Sequence, residues 1–189
     1  MVHMGKIVAI LSSPRQKGNS FDIVNAILDG AMGLSTNVIK LHRLDNLRSF
    51  HGCRACMGCK KSNACVQQDD VSQILEDMMD ADCVIFSTPV YFGSPNAQYK
   101  VLEDRMFSFI HGDGSKAMTG KKAIVVVTLG APVEAGQPVA DKMAEALEAV
   151  GFDVIEKVVF SDNGEKSAAC EDLDLMKRMK SLGLNFRNT

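Results

Sequence analysis

The sequence predicts an α/β fold: a five-stranded parallel sheet in the order 2-1-3-4-5, layered between helices on both faces. Three observations carry this expectation. Short continuous apolar runs alternate with segments of helical periodicity, which is the pattern of strands buried on both faces and joined by crossover helices. The runs Ile7–Leu11, Cys83–Phe86 and Ala123–Val127 each end in a loop rich in Gly, Pro and hydroxyl residues. A length of 189 residues with 46% hydrophobic content suits one domain, 1–189, with a full core.

Taken in order, Ile7–Leu11 reads as a buried strand running into the loop Ser12-Ser-Pro-Arg-Gln-Lys-Gly18. Asn19 or Ser20 then caps a helix whose apolar face holds Ile23, Val24, Ile27 and Leu28 and which stops near Gly30 to Gly33. Val38–Leu41 is a second strand, followed by a cysteine-rich loop at 50–66. Asp69-Asp70 caps a helix through about Met79, and Cys83–Phe86 gives the third strand, ending in Ser87–Gly93. A helix over about 95–109 leads to a loop around His111–Gly120. Ala123–Val127 is the fourth strand. Thr128–Pro132 leaves it for a helix carrying Met143, Leu147 and Val150 on one face and ending at Gly151. A fifth strand over 152–160 and a terminal helix over 172–182 complete the chain. In open parallel sheets ligands bind beyond the carboxyl ends of the strands, where the strand order reverses. That places a site at the loops after Leu11, Phe86 and Val127.

A net charge of −2 leaves no electrostatic footprint for nucleic acid or an anionic membrane, and Lys60-Lys61 is too small a basic cluster to count. No apolar run reaches the ~18 residues that span a bilayer. Residues 1–6 lack the apolar core of a signal peptide. A cytoplasmic location follows as an expectation, and with it reduced thiols.

Four of the six cysteines fall in one run, Cys53, Cys56, Cys59 and Cys65, spaced C-x-x-C-x-x-C-x5-C. A cubane iron–sulfur cluster needs four thiolates of this kind. The run differs from the bacterial ferredoxin pattern in its last spacing and in Val66, which stands where Pro would. A structural zinc site, with knuckles usually a dozen or more residues apart, and free or redox-active thiols are the other readings of the same spacing.

The loop Ser12–Ser20 joins a strand to a helix N-terminus, a natural anion site. Ser12, Ser13, Asn19 and Ser20 supply polar groups, Gly18 permits close backbone approach, and Arg15 offsets phosphate charge beside Pro14. The loop matches neither G-x-x-x-x-G-K-[ST] nor G-x-G-x-x-G, which favours a monophosphate over ATP or a gripped dinucleotide. A polar turn with a good cap is the plainer alternative. Thr88-Pro89-Val90-Tyr91-Phe92-Gly93 sets two aromatics at a strand mouth, where a planar ring system or ordinary packing would cover them. Thr128-Leu129-Gly130 adds a hydroxyl and close backbone approach.

These motifs together, Ser-x-Pro-Arg-x-x-Gly-Asn-Ser, the cysteine run with Asp69-Asp70, and Thr-Pro-Val-Tyr-Phe-Gly-Ser, resemble the NADPH-dependent FMN reductases and, within them, the iron–sulfur flavoproteins of anaerobic microbes. The resemblance covers about residues 5–160. It implies a flavodoxin-like three-layer sandwich, with the FMN phosphate in the Ser12–Ser20 loop and the ring against 88–93 and 128–130. It also implies a 4Fe–4S cluster on Cys53, Cys56, Cys59 and Cys65, and homodimers or homotetramers. Electrons would pass between NAD(P)H or a small redox carrier protein and a small-molecule acceptor. A reductase whose cysteines hold no cluster, a flavodoxin-type carrier that is no enzyme, and a zinc-stabilised binding domain are the alternatives. No triad-like catalytic constellation is visible. His51 and His111 read as loop histidines, Cys83 and most methionines (Met78, Met79, Met143, Met176) as core, and Cys170 has no assigned role.

Overall fold

The computed structural model describes residues 5–33, 37–162 and 169–185. The N-terminal segment before Gly5 lies outside them. Its elements are β1 (Lys6–Leu11), α1 (Asn19–Met32), β2 (Val38–Arg43), the single turn α2 (Cys59–Ser62), α3 (Asp70–Asp80), β3 (Cys83–Tyr91), β4 (Ser94–Pro95), α4 (Ala97–Arg105), β5 (Lys122–Leu129), α5 (Gln137–Ala149), β6 (Asp153–Ser161) and α6 (Leu173–Leu184).

The main sheet runs β2-β1-β3-β5-β6, all parallel, which is the expected order 2-1-3-4-5 with one addition. The sheet has six strands rather than five: β4 folds back antiparallel on the end of β3, pairing Tyr91 with Ser94 and Val90 with Pro95. The expected third strand therefore continues well past Phe86, and Thr88–Tyr91 belong to it rather than to a loop.

Period-two alternation divides each central strand between two cores. Val8 and Ile10 pack with α3, α4 and α5 on one face, while Ile7, Ala9 and Leu11 pack with α1 and α6 on the other. Both sides of β1, β3 and β5 are covered, so these strands read as unbroken apolar runs. The edge strand β2 is mostly exposed on its outer side. Met78 and Met143 are fully buried as expected, whereas Met79 is 38% exposed because it sits one residue off the buried stripe of α3. Cys83 is core.

Helix α3 is tied to the β2 edge by Asp77. Its carboxylate accepts from Lys40 Nζ at 2.5 Å and Gln73 Nε2 at 3.1 Å, and lies 2.8 Å from His42 Nε2. Burial pushes the Asp77 carboxyl up, but these hydrogen bonds outweigh it and hold it below the ordinary 3.8. Asp69 is depressed in the same sense: burial raises it, and the Arg105 guanidinium more than compensates. A carboxylate depressed on folding stabilises above its unfolded value, and that stability is lost as pH falls through the folded value. The urea midpoint is expected to stay level from about pH 6 to about pH 5 and to fall steeply below about pH 4. Asp77→Asn, weaker at neutral pH, should show a shallower acid loss in the same titration.

Candidate functional site

At the carboxyl ends of β1, β3 and β5 a cleft of about 420 Å³ opens between the β1–α1 loop, the end of β3 and Thr128–Gly130. That is within the range of small-molecule and cofactor sites. Its polar wall begins at the N-terminus of α1. The helix is capped by Gly18, not by Asn19 or Ser20 as the sequence suggests, and among the described residues it has no side-chain cap hydrogen bond. Asn19 instead donates to Asp162 Oδ2 at 3.2 Å and accepts from Ala169 N at 2.8 Å, while Ser20 Oγ lies 2.7 Å from Thr128 Oγ1. Those tertiary bonds pull both candidate caps away and leave the first-turn N–H groups for a ligand. Gly18 holds φ 147°, ψ −179°, a conformation close to glycine-only.

Of the expected binding residues, Ser13, Arg15, Gly18, Asn19, Ser20, Pro89, Val90, Tyr91, Thr128, Leu129 and Gly130 line the cleft. Ser12 and Thr88 do not. Both are buried beneath it: Ser12 Oγ donates to Ser87 O at 2.9 Å, and Asn96 bridges them, donating through Nδ2 to Ser12 O at 2.7 Å and through N to Thr88 Oγ1 at 3.2 Å. Pro14, Phe92 and Gly93 also fall outside the lining. Phe92 tips the β3–β4 turn at φ 51°, with its ring fully in solvent, and Tyr91 is half exposed. Phe21 and Asp162 line the cleft without having been anticipated, since nothing in their local pattern separates them from helix and loop surface.

The four clustered cysteines line one second, small cavity of about 20 Å³ with Val66, Gln67 and Arg105. Left-handed residues Ala55 (φ 51°) and Met57 (φ 59°) fold the chain back on itself between successive cysteines, and Ala55 N donates to Cys53 Sγ at 3.4 Å. Turn α2 ends in left-handed Asn63. The loop is held from outside by Lys60, whose Nζ donates to Phe107 O at 2.8 Å and to Ile110 O, and stands 3.6 Å from the centre of the Phe107 ring. Arg105 donates through Nε to Cys65 Sγ at 3.2 Å. Among the described residues no three His, Cys, Asp or Glu side chains meet closely enough to hold a single metal ion. A cubane spreads four iron corners, so its ligands need not converge on one point. As a donor set, four thiols around one cavity fit a cluster better than they fit one ion.

Exposure grades the thiols. Cys53, Cys56 and Cys170 are exposed, Cys65 is half-buried, and Cys59 and Cys83 are buried. Burial pushes the Cys83 thiol up to about 12. In metal-free protein, iodoacetamide with mass spectrometry should label Cys53 and Cys56 readily and leave Cys83 unmodified until the chain unfolds. His51 is an exposed loop residue, as expected, and His111 bonds Ser115 Oγ through Nδ1 at 3.0 Å.

A doubly wound sheet, a cleft at its switch point with an open helix N-terminus, and a four-thiol cavity define a flavodoxin-like redox protein. The chain belongs to the NADPH-dependent FMN reductase family, whose family model matches residues 5–166, and it is an FMN-dependent oxidoreductase. It is 29% identical to an iron–sulfur flavoprotein of Archaeoglobus fulgidus across 96% of this chain and 92% of that one. A second match, to an iron–sulfur flavoprotein of Methanocaldococcus jannaschii, is 37% identical but covers 53% of this chain and 51% of the relative. The NAD(P)H:quinone oxidoreductase of Methanothermobacter marburgensis superposes with a TM-score of 0.74 at 19% identity, over 97% of both chains, and shares the fold. Among the described residues no helix is long and apolar enough to cross a membrane.

Proposed function

We propose that the chain holds FMN in the 420 Å³ cleft and a 4Fe–4S cluster on Cys53, Cys56, Cys59 and Cys65, and passes electrons from NAD(P)H or a small redox carrier protein to a small-molecule acceptor. The observation that carries this reading is the single cavity lined by all four clustered cysteines in a chain that also has the flavin cleft. When bound, the flavin exchanges electrons in pairs or singly and the cluster exchanges them singly, so the two together convert between the modes.

The side chains of this protein bind and position. The first-turn N–H groups of α1, Ser13 and the Arg15 guanidinium take the phosphate. Pro89, Val90 and Tyr91 line the cleft as the residues that would hold the ring, together with Leu129 and Gly130. The buried network of Ser12, Thr88 and Asn96 fixes the strand ends beneath it. Hydride chemistry would be supplied by the flavin and its nicotinamide partner when bound, so no side-chain proton donor is assigned to this chain. A cluster-free reductase with reactive thiols is the second reading, favoured by the exposure of Cys53 and Cys56.

Gly18 gives a direct test of the cleft. A Cβ there meets no protein atom within 4 Å, so Gly18→Ala strains the backbone without a clash inside the chain. With strain of about 1–3 kcal/mol, FMN affinity should fall by about fivefold or more in a flavin-fluorescence titration of the apoprotein. Undiminished affinity would place the phosphate elsewhere.

A further inference from the structure

Arg105 ends α4 with a side chain entirely shielded from solvent. A guanidinium buried in this way is tolerable only when its N–H groups are matched. All the partners come from the cysteine loop and the residues flanking it. Nη1 donates to Asp69 Oδ2 at 2.7 Å and to His51 O at 3.0 Å, and Nη2 donates to Asp69 Oδ1 at 3.1 Å. The two-point grip of Asp69 fixes the plane of the guanidinium. Asp69 is itself anchored, because it opens α3 and its N–H donates to Ser72 Oγ at 3.1 Å. Of the two N–H groups left, Nε–H is thereby aimed at Cys65 Sγ at 3.2 Å.

We infer that Arg105 is a positioning residue for Cys65: it fixes the sulfur and, through the Nε–H hydrogen bond, raises the reduction potential of the cluster that this thiolate ligates. The inference rests on the cluster assignment proposed above. One electron from reduced flavin adds one negative charge to the cluster and its sulfur ligands, and no bond is broken. A donor held on one ligand sulfur stabilises that added charge more than it stabilises the oxidised form, which is how hydrogen bonds to sulfur tune such centres. The Asp69 carboxylate neutralises the net charge of Arg105, so the directed N–H carries the effect. Lysine would keep the charge opposite Asp69 but lacks the planar fork that aims a separate donor at Cys65.

The test is an anaerobic dye-mediated redox titration of iron-loaded wild type, Arg105→Lys and the double variant R105Q/D69N. The double variant removes both buried charges together and so leaves neither unpaired. The flavin couple in each sample is the internal reference. At the poise that half-reduces the wild-type cluster, the reduced-to-oxidised ratio should fall about tenfold in both variants, equivalent to about 59 mV for one electron. The flavin couple should not move, a split that general loosening of the fold would not produce. Cluster potentials equal to wild type in the iron-loaded variants overturn the role of Arg105 alone. Wild type that takes up no iron overturns the cluster assignment and this inference with it.

Discussion

Gly183→Ala is expected to lower the unfolding free energy by about 3 kcal/mol, read as a drop in urea midpoint at unchanged slope. Helices α1 and α6 cross with their backbones nearly touching. A Cβ on Gly183 would stand 1.9 Å from Ile27 O and 2.8 Å from Ala31 N, and one on Gly30 would stand 2.0 Å from Lys180 O. Each obstacle is backbone, so no rotamer change relieves it. The helices would have to separate, loosening the core where Ile27, Ala31 and Met179 pack. Alanine has an opposing helix-propensity advantage of about 1 kcal/mol over glycine, which the clash outweighs. A neutral or stabilised Gly183→Ala protein would mean that α6 does not pack this closely on α1.

Asp69→Ala is expected to cost about 3–5 kcal/mol, because it strands the Arg105 guanidinium in a site with no exposure and no counter-charge. It also removes the carboxylate that opens α3 and the partner of the His51 N–H at 3.3 Å. Asp69→Asn keeps an acceptor and should lose less. Urea unfolding at neutral pH measures both. A loss below about 1 kcal/mol for the alanine variant would mean that the buried pair does not tie the cysteine loop to the fold.

Much of the architecture could be read from the chain because β1, β3 and β5 are covered on both faces and leave continuous apolar runs. The cysteine run was equally plain, since its four thiols come from one local stretch that needs only turns to gather. What the sequence hid depends on partners far along the chain. Asn19 and Ser20 look like helix caps until Asp162, Ala169 and Thr128 claim their side chains. Ser12 and Thr88 look like binding hydroxyls until Ser87 O takes the first and Asn96 the second. Pro89 suggested a loop, yet it lies in β3 opposite Thr128, and the chain turns back soon afterwards to form β4. Arg105 gave no signal, because its contacts with Asp69 and Cys65 cross 36 and 40 residues.

The most direct measurement is an anaerobic purification followed by a UV–visible spectrum with iron and sulfide analysis. Flavin bands with a broad shoulder near ~400 nm and about four irons per chain are predicted. Flavin bands without iron or sulfide would contradict a flavin working beside a cluster.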